Sequence, residues 1–463
     1  MPGFRQKRET GVPQDQRQRM LETPIQQLVP VLAIPTIISM MVTSFYNMAD
    51  TYFVSQISTS ASGAVGIVYS VMAMIQAVGF TVGMGSGSIA SRLLGENRRR
   101  EADMVASSAV LTALALGSIL SIYGLMDVDR ILWLLGSTTT IYPFALDYAQ
   151  CILLGCPVMM IAFTLNNLLR WQGKANLSVI GLGFGGVLNL ILDPVLIFGL
   201  DMGIAGAALA SLISQCVSLV ILAAFFVCRK SELRISVRCI SRSPKMYLAI
   251  LKQGMPSFFR QGIMSVATTS LNWNARLFGD AAVVAMAIVT KVFMFIQSIT
   301  IGFGQGFQPV LGYNYGAGRL DRVKATIWFS IKTCTVILTV AAGLGYLFSE
   351  TIIALFRDDP LVIEIGTRAF RYQCLTLPLG AVLTFSNMFF QSMGKSVRAT
   401  ILAVCRQGFN ILMVYPLCWR FGLSGLECTQ ATADLVAFLI AFSILLNYFY
   451  REFGEEQRRI KAN

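Results

Sequence analysis

The sequence predicts an all-α integral membrane protein: twelve transmembrane helices in two six-helix lobes related by a parallel internal repeat. Three observations carry this expectation. Of the 463 residues, 55% are hydrophobic and only 13% charged, whereas a soluble domain carries about 25% charged residues. The apolar residues gather in blocks long enough to cross a bilayer, which takes about 20 residues each. The chain also matches itself at a constant offset of 221 residues.

In chain order, the blocks fall at 28–55, 62–87, 105–126, 142–168, 178–198, 203–228, 248–275, 281–306, 325–347, 362–389, 400–420 and 423–448. Lipid offers no partner to unpaired peptide groups, so spans of this kind are helices. Pro30, Pro35, Pro157, Pro256 and Pro378 are placed to bend some of them. The organisation that follows is a polar tail (1–27), a first lobe with helices 1–6 (28–228), a linker (229–247), a second lobe with helices 7–12 (248–448) and a second tail (449–463). The first tail, "MPGFRQKRETGVPQDQRQRM", lacks the apolar segment and small-residue cleavage site of a secretory signal.

The net charge of +13 follows from topology. With the N-terminus inside, the inner tails and loops carry 26 Lys and Arg, and the outer loops carry four: Arg130, Arg276, Arg357 and Arg420. The positive-inside rule then places both termini in the cytoplasm of a plasma (inner) membrane protein. This distribution makes the bilayer the partner of the basic residues and removes the case for nucleic acid. A monomer is expected. The ten Cys include no CxxC pair, and His is absent. No cofactor, thiolate metal site or activated nucleophile is therefore expected, and an enzyme is not. "GMGSGS" at 83–88 lacks the strand and βαβ context of a nucleotide loop, and its glycines recur at 304 and 306, so it reads as helix packing.

The repeat pairs Pro35 with Pro256, Gly83 and Gly85 with Gly304 and Gly306, Pro157 with Pro378, Asn166 with Asn387, and Asn189 with Asn410. Six spans per half give both halves the same orientation, an architecture of secondary transporters that hold substrate between the halves. Residues shared by both halves serve the fold first. Residues present in one half are the better functional candidates. Asp50 pairs with Leu271, and Asp193 with Val414.

Acids inside a membrane are functional candidates by default. Asp50 and Asp193 each lie about five residues before the outer end of a helix, which gives them similar depth. Asn47 and Asn189 precede them by three and four residues, on the same helix faces. Ser211 reaches a comparable depth in helix 6. Together they suggest one polar cluster for a coupling cation, although amides and hydroxyls also join helices. Two carboxylates at one depth in a low dielectric do not both ionise readily, which suits a site that takes up a cation. Without His, carboxylates are the main proton carriers. For a substrate cavity between the lobes the candidates are Tyr46, Gln76, Lys291, Asn387 and Asp434. Lys291 either lines this cavity or pairs with an acid. Arg260 and Arg406 read as side chains snorkelling toward the inner surface. Some of the 21 Met and 30 Phe would line an adaptable cavity for apolar cations.

"YNMADTYFV", "LNLILDPVLIFG", "GIAGAALAS" and the paired "GMGSGSIASRLLGENR" and "GFGQGFQPVLGYNYGAGR" resemble the multidrug and toxic compound extrusion (MATE) family along essentially the whole chain. The resemblance implies two lobes in a V and the export of drug-like organic cations in exchange for H+ or Na+. It is greatest to the prokaryotic branch with an acidic cation site in the N-lobe. By that likeness Asp50, Asn189 and Asp193 hold the H+ or Na+, and Ser211 stands where the pattern has Thr or Ser. A second branch has essential acids in the C-lobe; Leu271 and Asn387 stand in that lobe's polar helices here, so those sites do not carry over. The alternative within the same superfamily is a flippase for lipid-linked oligosaccharides, which needs a cationic cavity.

Overall fold

The computed structural model describes residues 16–462, without the side chains at 45–52, 55, 59 and 459–462. Its first lobe is built from α2 (Ile25–Ser55), α3 (Thr59–Gly95), α4 (Arg99–Met126), α6 (Tyr142–Trp171), α7 (Ala175–Pro194) and α8 (Gly203–Val227). The second comprises α9 (Pro244–Ala275), α10 (Asp280–Gly316), α11 (Leu320–Leu347), the pair α13 (Pro360–Thr376) and α14 (Leu379–Ser392), and α15 (Ser396–Asn447). Short helices α1 (Gln16–Glu22), α5 (Val128–Leu134), α12 (Ser349–Ala354) and α16 (Phe453–Ala462) complete it.

Among the described residues, nine helices are long and apolar enough to cross a membrane. The helix from Ser396 to Arg458 counts once in that number, although its 63 residues would reach about 95 Å at 1.5 Å per residue, far beyond one bilayer. Gly422, at φ 60° and ψ −134°, breaks it into two spans. Span 10 is bent by 57° at Pro378, between α13 and α14. Its repeat twin Pro157 sits inside continuous α6. The remaining span, α9, is not among the nine; one side of it carries Ser257, Arg260, Gln261, Met264 and Thr268 to the central cavity. The architecture is thus twelve helices in two lobes, as expected. Exposed apolar side chains cover the outside of the bundle, including Ile122, Val220, Val336 and Leu439. Tyr123, Trp273, Tyr346 and Trp419 lie near helix ends on the face away from the termini, where amphipathic rings suit a membrane boundary.

The two lobes meet on the face that carries both termini. A Cβ on Gly254 of α9 would stand 1.9 Å from the Thr81 carbonyl oxygen of α3, and one on Gly85 would stand 2.1 Å from the Ile250 carbonyl oxygen. The repeat reproduces this contact: a Cβ on Gly306 would lie 2.4 Å from Ala33 Cα. Only glycine permits backbones to approach so closely. The Thr36 hydroxyl donates to the Gly302 carbonyl at 2.7 Å, and the Ser88 hydroxyl to the Gln391 carbonyl at 2.9 Å.

The N-terminal segment does more than the polar tail the sequence suggested. Met20 and Leu21 are buried. Gln16 donates to the Gln172 carbonyl at 3.2 Å, and Arg17 to that of Gly95 at 3.0 Å. From the other lobe, Asn314 donates to the Met20 carbonyl at 3.2 Å and Arg322 to that of Thr23 at 2.6 Å. α1 therefore ties the lobes together across their common face. The linker is also fastened: Gln172 Oε1 accepts from the Glu232 amide at 2.7 Å, and Glu232 pairs with Lys174 at 3.0 Å.

Asn166 and Asn387 confirm that shared residues serve the fold. Asn166 donates to the Ser178 carbonyl at 2.9 Å, and Asn387 to that of Ala399 at 2.5 Å, positions again related by the repeat. Each amide fastens one helix to the next. Asn166→Ala should destabilise the protein by about 1–2 kcal/mol through loss of a buried hydrogen bond, read as a lower thermal midpoint in detergent. An unchanged midpoint would remove this role.

Candidate functional site

The cluster expected in the first lobe is assembled from two helices. Asp193 is the penultimate residue of α7 and is completely buried. Pro194 follows and cannot donate to the carbonyl four residues back. The chain then widens into a π-turn at Val195–Gly199, a distortion frequent at functional sites. One helical turn deeper, Asn189 donates to Asp193 Oδ1 at 3.2 Å and stands 3.5 Å from the Ser211 hydroxyl of α8. Three of the five predicted residues therefore come together. Their carboxylate, amide and hydroxyl oxygens are hard donors, suited to a proton or an alkali cation. α2, which carries Tyr46, Asn47 and Asp50, packs along α7; those three side chains lie outside the described residues.

Asn189 and Ser211 also border a central cavity of about 400 Å³ between the lobes. Asp193 thus stands one residue behind its wall. Met40, Met159, Met264 and Met294 with Phe80, Phe163 and Phe293 supply its apolar surface. Gln76, Asn387 and Asp434 lie on the wall, as expected of substrate-cavity residues, although Asn387 holds the Ala399 carbonyl.

Two expectations are corrected. Lys291 is exposed, outside the cavity wall, and makes no ion pair among the described residues. The cavity stripe of α10 runs through Thr290, Phe293, Met294, Gln297 and Ile301, and Lys291 lies about 90° round the helix from its middle. Arg260 and Arg406 face the cavity and do not snorkel away from it. Arg406 Nε donates to Asp434 Oδ1 at 3.1 Å and its guanidinium lies 5.7 Å from the Phe293 ring centroid. The repeat already held this signal: the twins of Arg260 and Arg406 are Ser39 and Gly185, so these charges belong to one lobe as Asp50 and Asp193 do.

Breaking a fully buried ion pair from one side costs about 3–5 kcal/mol. Arg406 borders the cavity, so Asp434→Asn should cost less, about 2 kcal/mol. Asp434→Met combined with Arg406→Met should recover most of it. A double variant no more stable than Asp434→Asn in thermal melts would show that the pair is not the source of the loss.

Two six-helix lobes around a cavity of mixed apolar and polar wall, inside an apolar outer surface, define a multi-pass membrane transport protein. The chain belongs to the MatE family, whose description matches residues 35–195 and 256–416, two copies that begin and end 221 residues apart. It is a transporter and not an enzyme. It is similar to the multidrug export protein MepA of Staphylococcus haemolyticus, 26% identical over 425 residues that cover 92% of this chain and 94% of that protein. MepA of Staphylococcus aureus strain NCTC 8325 is 25% identical over 432 residues, covering 93% and 95%. A solved structure described as the outward-facing conformation of a multidrug resistance MATE family transporter of the MOP superfamily superposes with a TM-score of 0.87 at 26% identity, covering 96% of this chain and 98% of that one.

Proposed function

We propose that this chain is a multidrug efflux antiporter of the plasma (inner) membrane, exporting organic, often cationic compounds in exchange for H+ or Na+ by alternating access. Both termini lie in the cytoplasm, the protein acts as a monomer, and the coupling ion is its only inorganic requirement. The observation that carries the reading is Asn189, which borders the cavity and bonds the buried Asp193 carboxylate. A cation bound by Asp193 and Asp50 would alter the packing of α7 against α2 and α8 beside the substrate. The excess of Lys and Arg on the terminal face supports a cytoplasmic location for it. The glycine contacts closed on that face then correspond to an outward-facing state. A membrane potential supplies about 2.3 kcal/mol per charge per 100 mV, sufficient to concentrate a drug outside.

The test is transport of ethidium by purified protein in liposomes, with a pH gradient and a sodium gradient imposed separately. One gradient should drive transport. A response to neither would overturn the antiporter reading. The placement of Arg260 and Arg406 on the cavity wall favours the flippase as a second reading. A lipid-linked oligosaccharide precursor that binds while ethidium does not would select it.

A further inference from the structure

The charges of the cavity are divided between the lobes. The N-lobe holds the carboxylate Asp193 behind its wall; the C-lobe presents Arg260 and Arg406. The repeat twins of these three are Val414, Ser39 and Gly185, so each charge belongs to its own lobe and not to the shared fold. Asp434 is the single carboxylate on the wall among the described residues, and Arg406 holds it at 3.1 Å.

Arg260 makes no hydrogen bond or ion pair among the described residues. Arg406 lines the same cavity, and Arg170 stands behind it, bonded to Gln305 of the wall. Arg170 is buried and donates to Gln305 Oε1 at 2.7 Å and to Asn167 Oδ1. Among the described residues, the two guanidinium groups of the wall, Arg260 and Arg406, thus face a single wall carboxylate, Asp434, with a third guanidinium behind them. Uncompensated positive charge is costly there and attracts a mobile anion. A guanidinium presents a planar fork of donors that matches carboxylate and phosphate oxygens. On the same wall, Gln297 is buried with neither amide atom hydrogen-bonded among the described residues, and it can donate to a ligand.

We propose that the cavity contains an anion subsite at Arg260 that takes the carboxylate or phosphate group of an amphiphile. A cavity of about 400 Å³ is of the size that holds a drug-sized molecule. A zwitterion bridging it meets an acid-bearing lobe on one side and an arginine-bearing lobe on the other. The inference rests on the exporter reading and deepens it by assigning a residue that holds the acidic group of a ligand.

Two dyes that differ by one methyl ester test it: rhodamine 110, a zwitterion with a free carboxylate, and rhodamine 123, its cationic ester. Their affinities are measured on the purified full chain in detergent. The ratio of rhodamine 110 to rhodamine 123 affinity should fall about tenfold in Arg260→Gln and by less than about threefold in Arg260→Lys, which keeps the charge. Rhodamine 123 binding also reports that each variant is folded. Displacement of rhodamine 110 by lysophosphatidate, absent in Arg260→Gln, would make a lipid phosphate the natural anion; no displacement would make it the acid of a soluble amphiphile, and either supports the subsite. A ratio unchanged in Arg260→Gln would overturn the proposal. Failure of the wild type to bind either dye would overturn the exporter reading itself.

Discussion

Asp193→Asn should insert into the membrane at wild-type level and lose gradient-driven efflux of ethidium, with an initial rate lower by about 100-fold, near the upper end of typical coupling energies of about 1–3 kcal/mol. Asn preserves the shape of the side chain and an oxygen to accept from Asn189 Nδ2, now 3.2 Å from Asp193 Oδ1. The fold should therefore survive, with a thermal midpoint close to that of the wild type. What is lost is the negative charge in a fully buried position, the property that allows a proton or sodium ion to be taken up and released. Energy-independent ethidium binding should remain, since Asp193 stands behind the cavity wall. Wild-type efflux at equal expression would remove Asp193 from coupling. Asp50→Asn is expected to behave in the same way, on the sequence argument that Leu271 occupies its repeat position.

The second large effect concerns the seal between the lobes. In Gly254→Val the new Cβ would stand 1.9 Å from the Thr81 carbonyl oxygen and 2.6 Å from its carbon. Both are backbone atoms that no rotamer change can move. Over-packing costs about 1–3 kcal/mol even where neighbours can adjust, and here the simplest relief is separation of the lobes. The equilibrium should move by about 5–150-fold against the state closed on the terminal face, and transport should fall more than about tenfold. Gly262 lies on the same helix with no atom within 4 Å of an added Cβ, so Gly262→Ala should transport normally. The readout is ethidium efflux together with labelling, by an impermeant maleimide, of a cysteine placed on the inner wall of the cavity. Normal transport by Gly254→Val would mean that this contact does not form during the cycle.

Much of this arrangement was legible in the chain. Ends of the apolar blocks at Ser55, Met126, Ala275 and Leu347 coincide with helix ends, because polar loop residues mark where the membrane stops. On the terminal face helices run several residues beyond their apolar blocks, as α3 does to Gly95 and α10 to Gly316. Those turns are covered by the other lobe and not by lipid, so hydropathy does not register them. The convergence of Asn189, Asp193 and Ser211 was legible because helical spacing and depth are simple geometry. Lys291 was misplaced because depth says nothing of the side of the helix a residue occupies. Arg260 and Arg406 were misread for a related reason: long basic side chains near an inner surface snorkel by default, and only the packing of α9 against α15 turns them inward. α1 escaped notice because seven residues carry too little periodicity to read, and its tie to the second lobe rests on the Met20 carbonyl and that of Thr23 just beyond it, which accept from Asn314 and Arg322 and which no side-chain pattern reveals.

The central claim is that a cation at the Asp193 cluster sets the balance between the two lobes. It is tested most directly by pulsed electron–electron distance measurements between one spin label in each lobe on the terminal face, in liposomes, after replacement of the ten native cysteines, none of which forms a disulfide. The wild type should change its distance distribution when pH or sodium is varied, and Asp193→Asn should hold a single distribution under every condition. A variant that shifts like the wild type would contradict the account.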